Sequence, residues 1–150
     1  MQLTQKETSL LKDLKGQEKL CVDKYGKAAE SAVDPQLKGL FTQLASVEQK
    51  HYDMLSQIGN GVAVQPICAK SETQQFTQKY GMADNPDKQN DCYLCTDLLT
   101  TEKHASSLYD TCVFEFRDEQ TRNVLASIQQ QEQQHGKMIY DYMAKNSMYS

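Results

Sequence analysis

Apolar side chains recur along this sequence in alternating steps of three and four residues, the period of an α-helix with one buried face. Four stretches share this pattern and predict helices at about residues 5–32, 36–58, 88–116 and 119–144. Between the second and third stretches, over residues 59–87, the periodicity disappears. The pattern therefore predicts an all-α protein.

Capping signals support the predicted helix starts. Thr4 precedes Glu7 at the spacing of a capping box, and Asp34 followed by Pro35 is typical of a helix N-terminus. Asp118 stands in the same relation to the fourth helix. The joins within the first and second helix pairs are short, so we expect two antiparallel hairpins.

The segment 59–87 is long for a connection within a compact domain, and such a length needs a structural reason. If the second and third helices are parallel, the chain must travel the full length of the bundle between them. One long crossover of this kind distinguishes a ferritin-like four-helix bundle from an up-down-up-down bundle. We predict this architecture, as a single domain over residues 1–150.

Polar residues interrupt the middle of each apolar stripe, in an order that occurs twice. A glutamate on the first helix of each pair is followed thirty residues later by a Glu-x-x-His motif on the second. The second copy lies eighty-four residues after the first, and the whole set is Glu18, Glu48, His51, Glu102, Glu132 and His135.

These residue types favour a metal centre. Four carboxylates buried together without a counter-charge would cost many kcal/mol or stay protonated, and two divalent ions remove that cost. We expect Glu18 and Glu102 as terminal ligands, Glu48 and Glu132 as bridges, and one histidine on each metal. Mixed carboxylate and imidazole ligands suit iron, or manganese as the alternative, better than zinc. The competing interpretation is a metal-free polar cluster neutralised by lysines or water.

Other residues carry weaker signals. Cys92 and Cys95 could form a redox pair, although cysteines three apart on a helix are more often packing residues. The glutamine-rich run 129–134 is interpreted as a solvated face carrying one buried ligand. The net charge of −4 argues against a nucleic-acid partner. The sequence has neither a secretory signal nor an apolar run long enough for a membrane span, so we expect a soluble protein made in the cytoplasm.

The six polar positions resemble the ligand set of the ferritin-like di-iron carboxylate superfamily. The stretches KDLKGQEKLCVDKY, DPQLKGLFTQLASVEQKHYDML and TEKHASSLYDTCVFEFRDEQTRNVLASIQQQEQQHG are similar to the spore coat protein F family. The first resemblance implies two iron ions and a ferroxidase- or peroxidase-like reaction with dioxygen or peroxide. The second implies deposition in the spore coat, with coat proteins or a second copy as partners. The alternatives are a structural coat protein with a stabilising or empty site, and a manganese catalase-like enzyme.

Tyr25 and Tyr109 each lie seven residues after the first glutamate of their half, on the inward stripe. The simpler interpretation is a core tyrosine whose hydroxyl binds and orients a ligand carboxylate. The resemblance to bacterioferritin-like proteins, which have a tyrosine at this offset, implies a redox-active neighbour of the metals instead.

Overall fold

The computed structural model describes residues 2–68 and 74–149. The chain forms an all-α four-helix bundle, which confirms the predicted fold class, and no strand occurs within the described residues. The helices are α1 (Gln5–Ser31), α2 (Pro35–Gly59), α3 (Pro86–Glu115) and α4 (Glu119–Lys145). No helix in this part of the chain has the length and apolar character that crossing a membrane requires.

The helices begin at residues that cap them. The Thr4 hydroxyl accepts from the Glu7 amide at 3.0 Å, and the Glu7 carboxylate accepts from the Thr4 amide at 2.8 Å. The start of α3 was predicted two residues too late. Asn85 accepts from the Lys88 amide and Pro86 takes the first helical position, where its missing N–H is not needed.

The packing order explains the long connection. α1 packs along α2, α3 packs along α4, and α1 faces α3. Near the start of α1, Glu7 contacts Arg117 beyond the end of α3, so α1 and α3 are antiparallel. Because α1 and α2 form a hairpin, α2 and α3 run parallel at opposite corners. The connection must therefore travel the length of the bundle.

The described part of that connection follows α4. The Ile67 amide donates to the Ser127 hydroxyl at 3.0 Å, and the Tyr80 amide donates to Asn146 Oδ1 at 2.9 Å. The predicted crossover 59–87 also includes residues 69–73, which lie outside the described residues.

Two apolar clusters fill the bundle, one toward each end. The first includes Tyr25, Phe41, Leu98 and Ile139, and the second includes residues such as Leu14, Leu55, Tyr109 and Leu125. On every helix, the predicted polar positions lie between the residues of one cluster and those of the other. The core is thus divided by a polar layer across the middle of the bundle.

Candidate metal centre

The polar layer brings all six predicted ligand positions together. They come from the middle of four helices, and none of the six residues is more than 3% exposed. The helical period places each on the face that its own helix buries, between apolar neighbours one turn away on either side. Their close approach is thus a direct consequence of the bundle packing.

The six side chains form two overlapping groups of four, which are Glu18, Glu48, His51 and Glu132, and Glu48, Glu102, Glu132 and His135. Within each group, one potential ligand atom per residue lies within 4.8 Å of all the others. Each group could hold a metal ion. Glu48 and Glu132 belong to both groups, as bridging ligands would, while their binding of metal stays a prediction.

Each histidine reaches across to a glutamate of the other half. His51 Nδ1 lies 2.8 Å from Glu132 Oε1, and His135 Nδ1 lies 2.7 Å from Glu48 Oε1. The two imidazole rings are nearly parallel, with an interplanar angle of 13° and centroids 5.9 Å apart. The pairing follows the internal repeat, since an offset of eighty-four residues converts one contact into the other.

Many of these atoms lack the partner that a buried polar atom requires. Among the described residues, both Nδ1 atoms, both oxygens of Glu48 and Glu132, and one oxygen each of Glu18 and Glu102 have no hydrogen-bond partner. The short distances between the histidine Nδ1 atoms and the glutamate oxygens therefore do not have the angles that a hydrogen bond requires. One unpaired buried group costs about 1–3 kcal/mol, and whole domains are stable by only about 5–15 kcal/mol. Oxygen and nitrogen donors that converge in this way fit a pair of cations.

The carboxyl groups differ in how readily they ionise. Burial raises the pKa of Glu48 well above its usual value, and the neighbouring Glu18 raises it further. Burial and the charge of Glu102 do the same to the pKa of Glu132. Burial opposes ionisation of Glu18 and Glu102 as well, but hydrogen bonds lower the pKa of both. Protons therefore compete more strongly with a metal ion for the two shared glutamates than for Glu18 and Glu102.

Tyr25 and Tyr109 bind carboxylates of the layer. The Tyr25 hydroxyl donates to Glu102 Oε1 at 2.6 Å, and the Tyr109 hydroxyl donates to Glu18 Oε1 at 2.5 Å. Each tyrosine thus holds the glutamate of the opposite half. Burial, reinforced by nearby carboxylates, raises the pKa of both phenols well above the ordinary value, so both remain protonated donors.

One residue at the centre was missed by the sequence analysis. Gln131 Oε1 lies 2.6 Å from His51 Nε2, so the amide oxygen accepts a hydrogen bond from the ring and leaves Nδ1 to face the carboxylates. The run 129–134 does carry one buried residue, Glu132, but the partly buried Gln131 has a contact with the site that the interpretation as a solvated face did not include. Gln131 is one of several glutamines around Glu132, and nothing in the sequence distinguishes the glutamine that contacts the site from the others.

Within the described residues, no cysteine belongs to either group of potential metal ligands. All five are free thiols, with Cys95 buried and Cys92 partly buried. Burial raises the pKa of Cys95, which keeps the thiol protonated and a weak nucleophile. The structure therefore favours the packing interpretation of this pair. His104 is exposed, as its position two residues beyond Glu102 predicts.

Residues 90–150 match the family model of the Coat F domain. The matched stretch covers most of α3 and all of α4, so it contains Glu102, Glu132 and His135 but none of the first half of the polar layer. No curated protein and no solved structure matches the chain. The match supports the resemblance to spore coat protein F. The resemblance to the di-iron superfamily stays a prediction.

Proposed function

We propose that this chain binds two metal ions in the polar layer, and that it uses them in a ferroxidase- or peroxidase-like reaction with dioxygen or peroxide. The observation that carries the proposal is the convergence of unpaired, buried donor atoms into two groups that share Glu48 and Glu132. Iron is the first candidate for these oxygen-rich groups, and manganese is the alternative.

The protein's own residues would prepare the layer for this chemistry. Glu18, Glu48, His51 and Glu132 would hold one ion, and Glu48, Glu102, Glu132 and His135 the other. Bound iron or manganese would supply reversible electron transfer and Lewis acidity toward an oxygen-containing substrate. Tyr25 and Tyr109 orient the outer carboxylates, and Gln131 orients the ring of His51. The apolar clusters keep bulk water from entering the layer from the two ends of the bundle.

The match with the Coat F domain supports a place in the spore. On this proposal the chain is made in the cytoplasm and deposited in the spore coat, where coat proteins or a second copy are its partners. The same match favours a second candidate function. The chain would then be a structural coat protein in which metal only stabilises the bundle.

Metal content after purification without chelator, followed by anaerobic reconstitution with Fe(II), tests the first proposal. We expect about two metal ions per chain, one for each group of ligands. The double variant Glu48→Gln/Glu132→Gln should lose both ions yet fold, because glutamine keeps the shape of the glutamate side chain and buries no charge. A matched control, Glu30→Gln/Glu119→Gln, removes two exposed carboxylates and should keep both ions.

The two candidate functions differ in what the glutamine variant does to spores. Loss of peroxide resistance together with normal coat assembly would support the redox function. Unchanged resistance with normal assembly would favour the structural one. Less than one metal ion per reconstituted wild-type chain would contradict the metal centre itself. Oxygen evolution from peroxide by the manganese-loaded protein would indicate catalase-like turnover.

A further inference from the structure

The internal repeat allows the two faces of the metal centre to be compared position by position. Between α3 and α4 lies a pocket of about 360 Å³ whose walls include Leu99 and Gly136. Glu102 and Glu132 form its floor. A Cβ atom added to Gly136 would lie 3.5 Å from Leu99 Cδ1, which is an ordinary van der Waals contact. This side of the pocket therefore has room for a side chain.

The equivalent face between α1 and α2 is closed by larger side chains. Eighty-four residues before Gly136 stands Tyr52, and eighty-four before Leu99 stands Lys15. The Lys15 ammonium lies over the Tyr52 ring, 5.3 Å from its centroid, as in a cation–π contact. A surface groove runs over this face too, but neither Glu18 nor Glu48 is among the described residues that line it.

The two groups of potential ligands also differ in burial and in the hydrogen bonds made by their histidines. Glu18, Glu48 and His51 are fully buried, and Gln131 holds the His51 ring. The residue equivalent to Gln131 in the first half is Val47, whose side chain cannot accept a hydrogen bond from the His135 ring. Apart from the shared Glu132, the group around His51 is thus enclosed and braced, whereas Glu102 of the group around His135 borders the open pocket.

We propose that the α3–α4 pocket admits the small exogenous ligand of the centre, and that this ligand binds at the metal position held by Glu102 and His135. Glu102 is 3% and Glu132 is 1% exposed, so the pocket reaches the ligands over a small area, which favours a small ligand such as dioxygen, peroxide or azide. The inference rests on the proposed metal centre, and it adds where the ligand enters and which of the two positions it reaches.

Azide binding to the cobalt-loaded protein tests this without turnover, because Co(II) absorption reports a new ligand directly. Gly136→Tyr places in the pocket the side chain that closes the other face. We expect it to retain two cobalt ions and to slow azide association by about tenfold or more, since a blocked route raises the barrier to binding. Gly136→Ala, whose new methyl group meets only an ordinary contact, should leave the rate within about twofold of the wild type.

Tyr52→Gly provides the converse test, which does not depend on a bulky substitution folding. Opening the α1–α2 face should let azide reach the second position, so the stoichiometry should rise from one azide per cobalt pair to two. Unchanged azide association in a folded, two-cobalt Gly136→Tyr protein would overturn the inference and leave the metal centre standing. An unchanged stoichiometry in Tyr52→Gly would also overturn it. A wild-type protein that binds no cobalt would overturn both.

Discussion

Removal of the Tyr109 hydroxyl should weaken both the metal-free fold and the binding of metal. The hydroxyl donates to Glu18 Oε1 at 2.5 Å with both side chains fully buried. A hydrogen bond to a charged group contributes about 1.5–3 kcal/mol, so Tyr109→Phe should lower the free energy of unfolding of the metal-free protein by an amount in that range. The same loss is expected for Tyr25→Phe, which frees Glu102.

Metal affinity should fall for a separate reason. The Tyr109 hydrogen bond is one of the contacts that lower the pKa of Glu18, so its loss makes a proton a stronger competitor for the carboxylate. It also frees the carboxylate to rotate away from the other ligands. Loss of a residue that orients a metal ligand typically costs about 10–100-fold in affinity, and we expect a decrease of that size for Tyr109→Phe.

Tyr142 offers a closely matched control. It is also fully buried, and its hydroxyl donates to the Asp34 carboxylate at 2.7 Å, but Asp34 caps α2 and lies outside the polar layer. Tyr142→Phe should therefore reduce stability by a similar amount while cobalt affinity, measured by competition with a chelator, stays unchanged. Equal affinities for Tyr109→Phe and the wild type would refute the reasoning, as would an equal loss of affinity in Tyr142→Phe.

Two further predictions concern protons and charge. The pKa values of Glu48 and Glu132 are raised in the folded protein, so their protonated forms stabilise the metal-free fold. This stabilisation is complete when the pH is below the ordinary glutamate pKa, and it is lost as the pH rises through the pKa values of the folded protein. Burial lowers the pKa of His51, but the carboxylates around the ring outweigh this and raise it well above the usual value. Metal binding should therefore strengthen with rising pH and release protons from Glu48, Glu132 and His51, measurable by calorimetry in buffers of different ionisation enthalpy; affinity independent of pH would contradict this. Glu7 shows the opposite sign: burial opposes its ionisation, but hydrogen bonds from Arg117 and Thr4 lower its pKa from 4.5 to about 2. Glu7→Gln should cost about 1–3 kcal/mol at neutral pH in urea unfolding, and the difference from the wild type should shrink as the pH falls from 4.5 toward 2; a constant difference would exclude the ion pair as its cause.

The buried face of each helix was predictable from sequence, whereas the partners across helices were not. A stripe with period 3.6 shows that Glu18 and Tyr25 point into the same core, but it contains no information on which neighbouring helix supplies the contact. The tyrosines bind the glutamates of the opposite halves because α1 packs against α3. Gln131 was missed for the same reason, since its value to the site depends on His51 of another helix.

The internal repeat also contains a pair of equivalent buried acids that the sequence analysis did not identify. Glu7 accepts from the Arg117 amide at 3.0 Å, and eighty-four residues later Asp91 accepts from the Val33 amide at 2.8 Å. Val33 and Arg117 are related by the same offset, so each buried acid ties the start of its helix to the loop of the other hairpin. The change from glutamate to aspartate conceals this equivalence when only identical residues are compared.

The repeated ligand set makes the two proposed metal positions alike, so any difference in function between them must come from residues that the repeat did not preserve. Gly136 with Tyr52, and Gln131 with Val47, are two such pairs. The first leaves the group around His135 more accessible than the group around His51, and the second gives the His51 ring a hydrogen bond that Val47 cannot give the His135 ring. A purely structural site would gain nothing from this difference, since ions that only stabilise a bundle are better enclosed on both sides. The asymmetry therefore favours a centre that exchanges ligands with its surroundings.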